Sequence, residues 1–207
     1  MDEHPIIIDG LKFKCKQCAE CCKKWKGTIY ISIYEVKLIA EKLNLTLEEL
    51  FNKFIHFEEE KCVYCGQELN LTYLAVNQIN NRCIFLDKND KCIIHEFKPF
   101  LCKIFPFWSI IMENKTKFEE YSELCSGVNT PDGDYYTKDQ IRKFLINEEN
   151  YLQNLNRIAL IMNSIDENEI LALAIGDLDL DIDMDAIDCL KNSLIIEKIR
   201  ILTNMNS

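Results

Sequence analysis

Cys15-Lys16-Gln17-Cys18-Ala19-Glu20-Cys21-Cys22 is the stretch on which the fold turns. Cys15, Cys18 and Cys21 recur every third residue, the way iron–sulfur proteins load several corners of one cluster from a single loop. A cysteine that only fills a core needs no such period. Seven more follow, at Cys62, Cys65, Cys83, Cys92, Cys102, Cys125 and Cys189, making 11 in 207 residues. The spacing predicts a metal-thiolate protein with an α+β fold organised around its sulfurs.

The rest of the composition narrows the setting. The length suits one domain or a domain with a sizeable appendage. An apolar fraction of 48% and a charged fraction of 28% are those of an ordinary globular chain. The beginning of the chain is acidic, Ile6–Ile8 is too short an apolar run for a signal peptide, and no stretch reaches the roughly 18 apolar residues of a membrane span. The expectation is a cytoplasmic protein with no membrane partner. Thiols stay reduced there, so a high cysteine count points to metal or redox chemistry before disulfides.

A net charge of −10 argues against nucleic acid as a partner. Charge is unevenly spread, however. Lys12, Lys14, Lys16, Lys23, Lys24 and Lys26 crowd the four-cysteine run, against Glu20 alone. Nearby cations favour the thiolate, the form that binds metal. The same lysines would also serve as a docking patch for an acidic protein or redox partner, or simply as a solvated loop.

Along the chain, Thr28–Ser32 reads as a short strand. Ser32 with Glu35, and Thr46 with Glu49, are capping-box pairs opening two helices. Cys62-Val-Tyr-Cys65-Gly has the form of a metal knuckle, and residues 69–76 read as extended. Cys83 and Cys92 fall on the two arms of a predicted hairpin turning at residues 87–90. Residues 96–104 suit a short helix with Pro99 in its first turn. Trp108–Met112 and Thr116–Tyr121 read as a second hairpin. Thr137 with Gln140 caps a long helical stretch, and a last helix is predicted over about 185–202. These assignments give a cysteine-cluster domain over residues 1–132 and a helical extension over 133–207, packed on it.

Four thiolates suit either one zinc or rubredoxin-like iron, or a cubane cluster. The three-residue period favours iron–sulfur, of the 4Fe-4S type. So does the arithmetic: setting aside Cys62/Cys65 and Cys189, a small buried hydrophobe by this reading, eight cysteines remain, enough for two four-cysteine centres. Zinc is the alternative, through Cys15/Cys18 with Cys62/Cys65. Neighbouring side chains in extended or turn backbone diverge. Cys15, Cys18 and Cys21 are therefore expected to share a centre while Cys22 looks to a second one or bridges. His95 is read as a hydrogen-bonded, partly buried histidine, since the thiols already suffice; His4 and His56 have no cysteine neighbours. Residues 177–185 alternate aspartate as a calcium loop would. Ile182 stands at the glycine position and Asp188 at the glutamate position, so an acidic edge or turn is the reading. Neither a GxGxxG or Walker loop nor the radical-SAM order Cys-x3-Cys-x2-Cys is present.

The run Cys15 to Cys22, then Arg82-Cys83-Ile-Phe-Leu, then Cys92-Ile-Ile-His95-Glu-Phe-Lys98-Pro99-Phe-Leu-Cys102-Lys103-Ile-Phe105-Pro106, then Cys125-Ser-Gly127, resembles the CxxCxxCC, or YkgJ-like, cysteine cluster family. That resemblance implies a zinc- or iron-chelating protein with ligands among Cys15, Cys18, Cys21, Cys22, Cys83, Cys92, Cys102 and Cys125, and Cys62 and Cys65 as an inserted pair. Because the family contains the flagellin lysine methylases, it also brings S-adenosylmethionine-dependent methyl transfer into view. Lys98-Pro99 and Cys102-Lys103 stand where the family's usual arginines do, which keeps charge but loses the planar guanidinium fork. Whether the chain is an enzyme is left open at this level.

Overall fold

Local sequence signals place the first half of the protein. The computed structural model describes residues 10–24, 27–64 and 67–163. Its elements are β1 (Leu11–Phe13), α1 (Glu20–Lys24), α2 (Ile33–Leu43), α3 (Leu47–Phe54), β2 (Ile55–Tyr64), β3 (Gln67–Val76), β4 (Gln78–Ile79), β5 (Arg82–Cys83), α4 (Phe100–Ile104), α5 (Ser109–Met112), α6 (Lys115–Leu124), β6 (Asp134–Tyr136) and α7 (Lys138–Asn163). Mixed helices and small antiparallel sheets make an α+β fold, as the sequence predicts.

Both capping boxes form. Ser32 Oγ accepts from the Glu35 amide while the Glu35 carboxylate accepts from the Ser32 amide, and Thr46 and Glu49 repeat the exchange. Each box satisfies amide donors that the first helical turn would otherwise leave orphaned. Asn44, in the left-handed conformation (φ 53°), ends α2. The helices then bury Val36, Ile39, Leu50 and Phe54.

Among the described residues, three two-stranded antiparallel sheets form: β1 with β6, β2 with β3, and β4 with β5. The longest is the β2–β3 hairpin, in register from Ile55 opposite Val76 to Tyr64 opposite Gln67. The strand predicted over Thr28–Ser32 is reduced to one bridge, Tyr30 opposite Ala75, flanked by Ile31 N donating to Leu74 O and Val76 N to Ile29 O. In the segment read as a second hairpin the chain is helical, as α5 and α6. Asn114 caps α6 by accepting from the Lys117 amide at 3.0 Å. The predicted 96–104 helix is interrupted: a 3-10 turn spans His95–Phe97, and α4 begins after Pro99, whose ring suits the break rather than the helix.

Among the described residues, two apolar clusters result. One joins α2, α3 and the end of β3 to Phe85 and Ile94. The other gathers Phe13, Leu101, Ile104, Phe105, Phe107, Trp108, Ile111, Met112, Tyr121 and Ile141. Strand β6 closes onto β1, and α7 packs along β3. A polar clamp ties them together: the Glu35 carboxylate accepts from Tyr151 Oη of α7 at 2.6 Å and from the Phe100 amide of α4 at 2.5 Å. Residues 177–185, the 185–202 helix, Cys189 and His4 lie outside the described residues.

Candidate metal centre

Between the two clusters lies a cavity of about 100 Å³. Cys15, Cys18, Cys21, Cys22, Cys83, Cys92, Cys102 and Cys125 all line it, together with Phe85 and Ile94 from one cluster and Phe13, Phe105 and Trp108 from the other. These are all the cysteines whose side chains are described, and none is in a disulfide.

Different elements deliver each thiol. Gln17 (φ 50°) and Ala19 (φ 61°) adopt left-handed backbone, which coils the four-cysteine run back on itself. Strand β1 feeds that run and lies beside the Cys125 loop: Lys14 N donates to Gly127 O at 3.1 Å and Asn129 N to Lys12 O at 2.8 Å. Only glycine fits at position 127, since a Cβ there would stand 2.3 Å from the Lys14 carbonyl oxygen. Helix α1 packs on β5, which carries Cys83. The turn after β5 brings Leu86 opposite Cys92. Cys102 comes from α4 and Cys125 from the end of α6.

The expected divergence of Cys21 and Cys22 does not occur. Their Sγ atoms are 3.8 Å apart and face one cavity. Helical backbone is the reason, because neighbours on a helix are turned by about 100° rather than the roughly 180° of a strand. His95 is a cavity residue as well. Its Nε2 lies 3.9 Å from Cys15 Sγ, and its Nδ1 lies 3.7 Å from a Glu96 carboxylate oxygen. Three-residue spacing from Cys92 was the available signal.

Burial decides the protonation of the metal-free site. It pushes the Cys83 thiol up to about 11 and raises Cys92, Cys102 and Cys125 as well. For Cys21 the hydrogen-bonded Cys22 thiol is the larger cause, with burial added. Lys98, on the cavity wall, opposes the rise at Cys21, Cys92 and Cys102. These thiols lose their protons readily only when positive charge enters among them, which is what a metal centre supplies.

The lysines around the run are largely engaged within the chain. Lys14 and Lys16 pair with Asp132, Lys23 with Glu20 and Asp90, and Lys24 with Glu20. Arg82 shares Asp90 and also donates to the Asp87 carbonyl at 2.5 Å. Lys16 and Arg82 hold the carboxyls of Asp132 and Asp90, respectively, below the usual range. These pairs clamp the cysteine loops to one another.

Cys62 pairs with Leu69, seven residues along β2 from Ile55, while Val76, opposite Ile55, lines the cavity. At ~3.4 Å per residue the strand carries the Cys62 backbone ~24 Å away. Cys65 and the Cys62 side chain lie outside the described residues.

The donor set fits a thiophilic metal group. Among the described residues no three cysteine, histidine, aspartate or glutamate side chains are placed to hold one metal ion between them. The sulfurs instead surround space for several water-sized bodies, at ~10–15 Å³ each.

A profile of the CxxCxxCC family, described as a "putative zinc- or iron-chelating domain", matches residues 14–126, more than half of the chain. The chain belongs to the CxxCxxCC family. An uncharacterized protein of Methanocaldococcus jannaschii is 30% identical over 149 residues, covering 69% of this chain. The chain spans 44% of that relative's length. No solved structure matches. The CxxCxxCC match ends just after Cys125, so it takes in all eight thiols of the cavity. Among the described residues no helix is long and apolar enough to cross a membrane.

Proposed function

We propose that this CxxCxxCC protein holds iron–sulfur, and that its activity is redox chemistry at the cysteine cavity. The observation that carries this reading is the convergence of eight thiols on one cavity of about 100 Å³. A lone ion is gripped by ligands in contact around it and needs no such volume. Bound there, iron–sulfur would supply a one-electron couple buried between two apolar clusters. Phe13, Phe85, Phe105 and Trp108 wall the cavity with apolar surface that limits water at the sulfurs.

Thiols in this number favour full ligation over an open iron, and full ligation supports electron transfer rather than substrate binding at the metal. Methyl transfer from S-adenosylmethionine, brought into view by the resemblance, is therefore the lesser proposal. One geometric observation favours zinc: the 3.8 Å between Cys21 and Cys22 Sγ equals the sulfur–sulfur edge set by ~2.3 Å zinc–sulfur bonds at the tetrahedral angle.

The experiment is a redox titration of anaerobically purified protein, followed by absorption and electron paramagnetic resonance. A visible band that bleaches on reduction and returns on oxidation supports the proposal. A protein with no chromophore and no paramagnetic signal at any potential sinks it. A reduced-state spectrum that changes when S-adenosylmethionine is added would favour methyl transfer over electron carriage.

A further inference from the structure

We propose that His95 is a metal ligand, its Nε2 joining Cys15 Sγ on one metal of the group held in the cavity. The donor set of this protein is then thiolate and imidazole rather than thiolate alone. The proposal rests on the reading above that the cavity holds metal.

Two segments far apart in sequence are each fixed, and then tied to one another, so that these two donor atoms meet. Lys14 N donates to Gly127 O at 3.1 Å and Lys16 pairs with Asp132, which holds Cys15 between them. His95 opens the 3-10 turn His95–Phe97, where its own amide donates to Cys92 O at 3.2 Å and Phe97 N to Ile94 O at 3.0 Å. Ile94, buried in the first apolar cluster, anchors that turn. Lys91 Nζ reaches across to Gln17 O at 3.3 Å and joins the His95 segment to the cysteine run. The outcome is His95 Nε2 at 3.9 Å from Cys15 Sγ, with both residues on the cavity wall.

A hydrogen bond is the other use of such an approach, and its length argues against it. Cysteine sulfur is a weak partner, and 3.9 Å makes the contact weaker still. Zinc-type bonds of ~2.3 Å to sulfur and ~2.0–2.1 Å to nitrogen, at the tetrahedral angle, set a sulfur–nitrogen edge of ~3.6 Å. A closure of ~0.3 Å therefore turns the observed pair into two ligands of one metal. The other ring nitrogen, Nδ1, lies 3.7 Å from the Glu96 carboxylate, outside the Cys15 contact. That is the side on which a metal-binding histidine keeps its outer carboxylate. Two protein donors are also enough for one metal of an iron–sulfur group, because sulfide supplies the others; histidine takes such a place beside cysteine in Rieske centres. Cys15 is the exposed thiol of the eight, so the imidazole completes the site on its solvent side.

X-ray absorption at the edge of the bound metal tests this on full-length protein purified without oxygen and without a histidine tag. The readout holds for iron and for zinc alike. The wild type is expected to show outer-shell scattering from one imidazole ring. The chain has three histidines, and His56 is engaged with Asn77 and Glu58. His4→Ala and His56→Ala should each leave the imidazole signal in place, whereas His95→Ala should remove it. An all-sulfur shell in the metal-loaded wild type would overturn the proposal and leave the metal reading standing. Protein that binds neither iron nor zinc would overturn that reading itself, and this ligand with it.

Retention of metal supplies the second readout. His95→Ala should give up its metal to a competing chelator at least ~10-fold more readily, since loss of even an outer partner costs that much. His95→Cys replaces one ligand by another and should restore retention with an all-sulfur shell. His95→Gln keeps a polar group beside Cys15 without an imidazole and should behave as His95→Ala does. Wild-type retention in His95→Gln would show that the side chain only hydrogen-bonds, and would contradict the proposal.

Discussion

At the scale of single residues, burial and hydrogen bonding set the behaviour of the site. Cys83 titrates at about 11 in the folded metal-free protein, against 9.0 for an ordinary thiol, because burial disfavours the thiolate. A group whose folded pKa is raised adds stability in its protonated form. That stability is complete below pH 9.0 and is lost as pH rises to about 11. Cys92, Cys102 and Cys125 act in the same direction. The metal-free protein should therefore melt at progressively lower temperature over this window, while the metal-loaded protein should not show the loss. Calorimetry of both forms across the range checks this, and parallel curves would contradict it. Glu35 is a second such residue, since its carboxylate caps α2 and also holds Tyr151 and the amide at the start of α4. Glu35→Ala should cost about 2 kcal/mol or more by leaving those donors unpaired. It should also weaken metal retention, because α4 carries Cys102. Denaturant titration gives the first quantity and chelator competition the second.

Elements determine how the loops meet. Strand β1 and the Cys125 loop approach so closely that Gly127→Ala would push a Cβ into the Lys14 carbonyl. That variant should lower both the melting temperature and the metal content, and a wild-type metal content would show that the two loops can separate without harm. The β2–β3 hairpin makes the opposite prediction. Because its register carries the Cys62 backbone ~24 Å along the strand, C62S/C65S should retain the full metal content of wild type; loss of metal would return this pair to the ligand set. The capped helices were legible because Ser32, Glu35, Thr46 and Glu49 carry their signal locally. Strand β2 was not, since the charged run Glu58–Lys61 interrupts any alternation and only pairing with β3 makes it a strand. Helices α5 and α6 were read as strands because four and ten residues give the helical period little room, although Asn114 was a usable cap. Pairing of β1 with β6 joins three-residue segments over 120 residues apart, and no local pattern announces it.

Across the whole molecule, the cavity is where the two apolar clusters meet, and its eight thiols come from distant parts of the chain. Residue type and spacing were enough to single out the eight thiols that line the cavity. Their convergence on one cavity was not legible, because it depends on contacts far apart in sequence. The approach of His95 to Cys15 was not legible either, because its three-residue spacing from Cys92 says nothing of a residue far away in sequence. A metal group at this junction would cross-link both clusters, so the identity of that group is the central question. The measurement that tests it most directly is metal and acid-labile sulfide content of protein purified without oxygen. Iron accompanied by matching sulfide is the predicted result. Zinc without sulfide, reproduced under anaerobic handling, would contradict it.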